Sequence, residues 1–187
     1  DMIGYLDIED MERNVTECKA YTRRHAKTFY FASHVLPREK RRAAYAVYAF
    51  CRYADDLVDH IMPGADTHVA LARLSELRRQ LMYVYSFSEL MDRKLLALRE
   101  TVFQYRIPQQ YFDDLLRGVE MDLTKTRYES FAELKEYCYC VASVVGLVMA
   151  RIFGVSDPGA LKQAADLGMA MQLTNILRDV GEDYALG

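Results

Sequence analysis

The chain has 187 residues, 51% hydrophobic and 27% charged, enough for one substantial apolar core. A formal net charge of −3 argues against a nucleic-acid-binding surface, which would be strongly basic. Four cysteines, Cys18, Cys51, Cys138 and Cys140, lack metal or redox spacing and are expected as reduced thiols of a cytoplasmic protein.

Only nine glycines and four prolines punctuate the sequence, and the apolar spacing is helical nearly throughout. The spacing predicts roughly seven helices, at about 8–33 (bent), 37–61, 66–86, 88–105, 108–123, 130–154 and 157–185. Pro37, Pro108 and Pro158 each fit a first helical turn, where a missing N–H costs nothing. Asp157 reads as an N-cap, and Ser130 with Glu133 as a capping box. Met62 to Asp66 is the clearest loop, and Tyr105 to Pro108 a second break. One helical domain over 1–187, without repeat or linker, is the economical organisation. No secretory signal is visible, and the uncharged stretch Tyr137–Ala150 is too short to span a bilayer, so a buried core helix is expected there. Arg23, Arg24 and His25 form one basic cluster; Arg38, Lys40, Arg41 and Arg42 form another, read as a solvated face.

Chemistry enters in the second predicted helix, with Tyr48, Arg52, Asp55, Asp56 and Asp59. At 100° per residue, Tyr48, Arg52, Asp55 and Asp59 fall within an arc of about 60°, with Asp56 beside it. Ala46, Val47, Phe50, Leu57 and Val58 supply the apolar neighbours. Carboxylates about 6 Å apart repel by about 3 kcal/mol per pair at an effective dielectric near 20, so an enclosed cluster wants cations. Mg²⁺ suits it, because that ion takes one or two carboxylates and completes its shell with water and phosphate oxygens. A short Asp-rich motif alone reads equally well as a solvated acidic patch at a helix end.

A second stripe, Gln172, Asn175, Asp179 and Asp183, spans about 80° of the last predicted helix. Met171, Leu173, Ile176, Leu177 and Val180 occupy the other faces. Two amides and two carboxylates all offer oxygen to a hard cation. Facing a second carboxylate stripe, such a helix forms a jaw for metals and a diphosphate, as bundle folds build metal sites from facing helices.

The blocks HAKTFYFASHVLP (25–37), YAVYAFCRYADDLVD (45–59), YCYCVASVVG (137–146) and QLTNILRDVGEDY (172–184) closely resemble the squalene/phytoene synthase family, in the same order and spacing. The resemblance covers essentially the whole chain. It implies an all-α single helical bundle around a central apolar cavity, the isoprenoid synthase fold, with the family's C-terminal helices missing from this chain. It also implies that Asp55, Asp56 and Asp59 are the first aspartate motif and Asp179 with Asp183 the second. Asn175 joins them as a metal ligand, with Gln172 on the approach. Tyr48 and Arg52 match the pair that contacts diphosphate, and His25, Lys27, Thr28 and Phe29 match an N-terminal flap over it. Taken alone, His25 would be an exposed or core-edge histidine and Phe29 a core aromatic.

Cys138, Ala142, Gly146 and Ala150 recur every four residues, a small-residue stripe suited to close helix packing. The resemblance adds that this helix lines the tunnel for the prenyl tails, with Tyr137, Val141 and Gly146 at matching positions. Two positions depart from the family's usual wording: Ala26, where Ser is common, and Ala142-Ser143, where Ala-Gly is common. Neither removes a metal ligand.

The activity implied is a Mg²⁺-dependent head-to-head condensation of two prenyl diphosphates, with Mn²⁺ as a substitute metal. The wording of the two Asp blocks favours phytoene synthesis from two geranylgeranyl diphosphates, through a cyclopropylcarbinyl diphosphate. Squalene, dehydrosqualene or hydroxysqualene synthesis from farnesyl diphosphate uses the same motifs, and NADPH enters only for a squalene synthase. The hydrophobic products suggest loose attachment of a cytoplasmic enzyme to a membrane surface, and nucleic acid is not expected as a partner. A non-catalytic assembly or binding factor would have no reason to keep all five aspartates. A carboxylate-bridged redox-metal bundle would bring Glu-x-x-His pairs, and none accompanies these stripes.

Overall fold

In the computed structural model, the described residues are 8–59, 67–86 and 93–186, and among them every regular element is helical. Their contacts group into two compact units that meet in the sequence at Gln109 and Gln110. The predicted loop Met62–Asp66 lies outside the described residues.

The first unit begins with α1 (Ile8–His25) and α2 (Lys27–Ala32), then a 3₁₀ turn (Ser33–Val35), α3 (Arg38–Asp59) and α4 (Thr67–Tyr85). A 3₁₀ turn (Arg93–Leu95) and α5 (Leu96–Gln104) complete it. The single bent helix predicted over 8–33 is therefore two helices divided at Ala26, whose φ of −138° and ψ of 70° leave the helical region, the second running on into the 3₁₀ turn. The break aims Phe29 and Tyr30 at a core formed by Val15, Cys18, Tyr45, Ala46 and Ala97. Ser33 fixes the new direction, donating to Tyr30 O at 2.6 Å while its hydroxyl meets that of Tyr45 at 2.8 Å.

Small residues let α3 run through the middle of this unit, where Ala43, Ala44, Ala46 and Ala54 are all buried. Asn14 joins α1 to the start of α5 by two bonds, donating to Lys94 O and accepting from Ala97 N, each at 2.9 Å. Leu95 offers no side-chain cap to α5, so a residue more than eighty positions away supplies one. At the far end of α5 the break predicted at Tyr105–Pro108 is present. Arg106 turns left-handed (φ 50°), and Ile107 N returns to Val102 O at 3.0 Å.

The second unit holds α6 (Gln109–Thr124), α7 (Phe131–Cys138), α8 (Val144–Phe153) and α9 (Pro158–Leu186). The predicted Asp157 cap forms, Ala160 N donating to Asp157 Oδ2 at 2.8 Å, and so does the Ser130 arm of the capping box, Glu133 N donating to Ser130 Oγ at 3.2 Å. The Glu133 carboxylate accepts from Glu129 N at 3.4 Å instead of Ser130 N. The continuous helix expected over 130–154 is interrupted by a π-helical turn at Tyr139–Ser143, which separates α7 from α8. Such a turn admits one extra residue, and Ala142 and Gly146 of the small-residue stripe still meet α9 closely, together with Ser143. A Cβ on Gly168 would lie 2.5 Å from Ala142 O, and one on Gly146 would lie 2.5 Å from Ala164 O. Ser143, buried, donates to Ala165 O at 2.8 Å across the same contact. Residues Phe131–Phe153 together are long and apolar enough to cross a membrane by length and composition. All four cysteines are free thiols, as expected.

Candidate active site

The first aspartate motif is built on α3, whose inner face is fixed by Val47, Phe50 and Ala54, all buried. A helix anchored on that side turns Tyr48, Arg52, Asp55 and Asp56 together to another. Arg52 Nη2 lies 2.7 Å from Asp56 Oδ1, one helical turn along. The other oxygen of Asp56 accepts a hydrogen bond from the hydroxyl of Tyr21 on α1. Burial, and then that bond, push the Tyr21 phenol up to about 12, so it remains a donor at neutral pH. Burial also raises the Tyr48 phenol, with Arg52 opposing and Asp55 and Asp56 reinforcing the shift. Asp59 is helical at the end of α3, and its side chain lies outside the described residues.

Residues of the expected flap reach this face through aromatic contacts. Phe29 stacks on Tyr48 with centroids 5.6 Å apart, and His25 lies against Tyr21 at 4.4 Å. Lys27 and Thr28 are exposed on the first turn of α2. The structure thus gathers His25, Phe29, Tyr48, Arg52, Asp55 and Asp56 around α3 within one unit. Sequence reasoning missed Tyr21; its signal was the position one helical turn before His25.

In the second unit, Gln172, Asn175 and Asp179 are half-buried along α9, while Asp183 is helical with its side chain outside the described residues. Arg178 pairs with Asp179 through one guanidinium edge, Nε to Oδ1 at 2.6 Å and Nη2 to Oδ2 at 2.9 Å. The hydrogen bonds from Arg178 hold the Asp179 carboxyl below the usual carboxylate range. On α7, Tyr137 is half-buried beside Tyr128, centroids 5.2 Å apart. Burial raises its phenol strongly, and Asp122 of α6, which bonds it, adds to the shift. Asp122 was not singled out from the sequence, because nothing local links the end of α6 to α7. Val141, in the π turn, packs toward Gly118 of α6, and Gly146 faces the α9 backbone at Ala164.

Among the described residues no three His, Cys, Asp or Glu side chains converge closely enough to hold a metal ion. The donors nonetheless fit a hard divalent cation in kind: carboxylates at Asp55, Asp56 and Asp179 and amide oxygen at Asn175, with no thiolate or imidazole among them.

An all-α chain with an aspartate-rich helix face, an arginine and a tyrosine on that face, and a second acidic helix defines an isoprenoid-synthase-fold protein. The solved structures agree. A dehydrosqualene synthase in complex with ligand superposes with a TM-score of 0.81 at 37% identity, over 96% of this chain and 61% of that one. A squalene synthase from Alicyclobacillus acidocaldarius superposes with a TM-score of 0.86 at 28% identity, over 100% of this chain and 68% of that one. The squalene/phytoene synthase family model matches residues 22–187. Phytoene synthase 3 of Zea mays is 40% identical over 176 residues, 91% of this chain and 40% of the maize protein. The 15-cis-phytoene synthase of Synechococcus elongatus is 38% identical over 183 residues, 91% of this chain and 58% of that protein. The chain therefore spans between two-fifths and three-fifths of these two relatives, and it belongs to the squalene/phytoene synthase family.

Proposed function

We propose that the protein is a prenyltransferase that condenses two geranylgeranyl diphosphates head to head, giving phytoene. The observation that carries the reading is the α3 face, where Tyr48, Arg52, Asp55 and Asp56 are held together. Relatives whose names specify phytoene as product, at 40% and 38% identity, favour the C40 substrate choice. The carboxylates fit Mg²⁺ or Mn²⁺ in kind; the first motif, Asp55, Asp56 and Asp59, would hold such an ion, and so would the second, Asn175, Asp179 and Asp183. Bound there, the metal supplies Lewis-acid stabilisation of the departing diphosphate.

The chain's own residues do the rest. Arg52 and Lys27 offer positive charge, and Tyr48 and Thr28 hydroxyl hydrogens, to the diphosphate oxygens on which charge accumulates as the C–O bond breaks. His25 adds a ring N–H. Loss of diphosphate leaves an allylic cation, which the double bond of the second substrate attacks. Proton loss closes the cyclopropylcarbinyl diphosphate, and a second ionisation with rearrangement and proton loss gives a C40 polyene with a conjugated triene at its centre. Tyr137 and Val141 would contribute to the apolar wall that keeps water from the cations, while Gly146, pressed against the α9 backbone at Ala164, would serve through close helix packing. Phytoene formation needs no hydride, so NADPH has no part in this reading. The protein would work in the cytoplasm or against a membrane surface, where a C40 hydrocarbon can leave.

Similarity to solved dehydrosqualene and squalene synthases supports a second reading, with farnesyl diphosphate as substrate and a C30 product. Incubating the full-length protein with each diphosphate and Mg²⁺, then sizing the extracted hydrocarbon, separates the two. A C40 product from geranylgeranyl diphosphate supports the first reading, and a C30 product from farnesyl diphosphate alone supports the second. No hydrocarbon from either, with the fold intact, leaves a non-catalytic family member.

A further inference from the structure

We propose that Tyr21 is a positioning residue for the diphosphate-binding face of α3: its hydroxyl fixes Asp56, and Asp56 in turn aims Arg52. The inference rests on the diphosphate reading above. Asp56 has two carboxylate oxygens and gives one to each neighbour, Oδ2 to the Tyr21 hydroxyl and Oδ1 to Arg52 Nη2. Arg52 and Asp56 sit on the same helix, one turn apart. Tyr21 comes from a different helix, thirty-five residues away, and ties the carboxylate to α1.

The sequence next to Tyr21 explains why it is available for this. Thr22 takes the inward position on α1, fully buried with its hydroxyl donating to Cys18 O at 2.8 Å. Its neighbour is thereby turned toward the polar face of α3, half-buried, with only its hydroxyl committed there. The same ring lies 4.4 Å from His25, centroid to centroid. One α1 side chain thus touches both the flap histidine and the carboxylate that orients the arginine. An arginine held in this way meets charge developing on a leaving oxygen without first being ordered, which is the condition under which it accelerates ionisation.

The test is Tyr21→Phe in the full-length protein, which deletes one hydroxyl and keeps the ring. Because orientation matters most where charge develops, kcat for condensation should fall about 10-fold while KM moves less than about 3-fold. In an Arg52→Gln background the same substitution should change kcat by less than about 2-fold, because the side chain it aims is already gone. A merely structural tyrosine would give equal losses in both backgrounds, and that result overturns the proposal. Binding of inorganic pyrophosphate with Mg²⁺, followed by calorimetry, gives a readout without turnover; Tyr21→Phe should weaken it several-fold. A wild-type protein that turns over substrate and binds pyrophosphate, matched in both by Tyr21→Phe, defeats this inference alone. A wild-type protein that does neither defeats the diphosphate reading and this inference with it.

Discussion

Arg178 and Asp179, adjacent on α9, grip each other through the Nε–Nη2 edge of the guanidinium and both carboxylate oxygens. Neighbouring residues on a helix point about 100° apart, so the arginine must fold back to make this contact. The aspartate that leads the second motif is thereby kept ionised by its own neighbour, and any cation it binds competes with Arg178.

The first prediction concerns that pair. Arg178 depresses the Asp179 carboxyl, so Arg178→Ala should let it rise toward the ordinary carboxylate range, as read by carbon NMR of the labelled side chain. The sign follows from linkage: a depressed folded value contributes stability above the unfolded value and loses it as pH falls through the folded one. Any acid-side stabilisation from this pair should therefore vanish in Arg178→Ala. An Asp179 titration unchanged by the substitution would show that the contact does not persist in solution.

Gly168 should be intolerant of even one methyl group. Its added Cβ would meet only backbone, Ala142 O at 2.5 Å and Ser143 Cα at 2.9 Å, and backbone cannot move aside as a side-chain tip can. Gly168→Ala is expected to lower stability by about 1–3 kcal/mol in urea unfolding, against a small gain from helix propensity. Gly181, with open space around its Cβ position, is the control, and Gly181→Ala should be neutral or slightly stabilising.

Asn14 supplies the cap that α5 lacks, so Asn14→Ala should leave the buried Ala97 amide unsatisfied and take the Lys94 carbonyl's partner away. A loss of about 2–4 kcal/mol is expected, larger than for an exposed helix cap. Hydrogen exchange gives a local check: the first-turn amides of α5 should exchange faster in the variant, while those of α4 need not.

These cases also show what the sequence could and could not say. The caps at Ser130 and Asp157 were legible because both partners lie within three residues. The first motif was legible because its members share one helix face, where spacing alone sets their angles. Asn14 and Tyr21 were not, since their partners are long-range and only the packing of α1 on α3 and α5 brings them together. The π turn at Tyr139–Ser143 has no apolar period of its own, and helical spacing ran through it unbroken. The break at Ala26 carries neither Pro nor Gly; the aromatic residues after it, drawn to the Tyr45 core, set it.

Burial raises the Cys18 thiol to about 12 from an ordinary 9.0. The folded protein therefore holds this proton where the unfolded chain has lost it. The resulting stability is complete below about pH 9 and drains away as pH rises toward about 12. A thiol reagent applied at mildly alkaline pH should spare Cys18 in the native protein and label it once urea is added. Native labelling at the rate of an exposed thiol would contradict the burial on which the α1–α3 packing rests.

The most direct test of the central claim is the mass balance of a single reaction. Full-length protein, Mg²⁺ and isotopically labelled geranylgeranyl diphosphate are mixed, and both hydrocarbon and released diphosphate are counted. Head-to-head condensation predicts one C40 hydrocarbon for every two diphosphates, with both signals lost on chelation and in Asp55→Asn. Release of diphosphate with only C20 alcohol, or a C40 product that survives Asp55→Asn, would contradict the account.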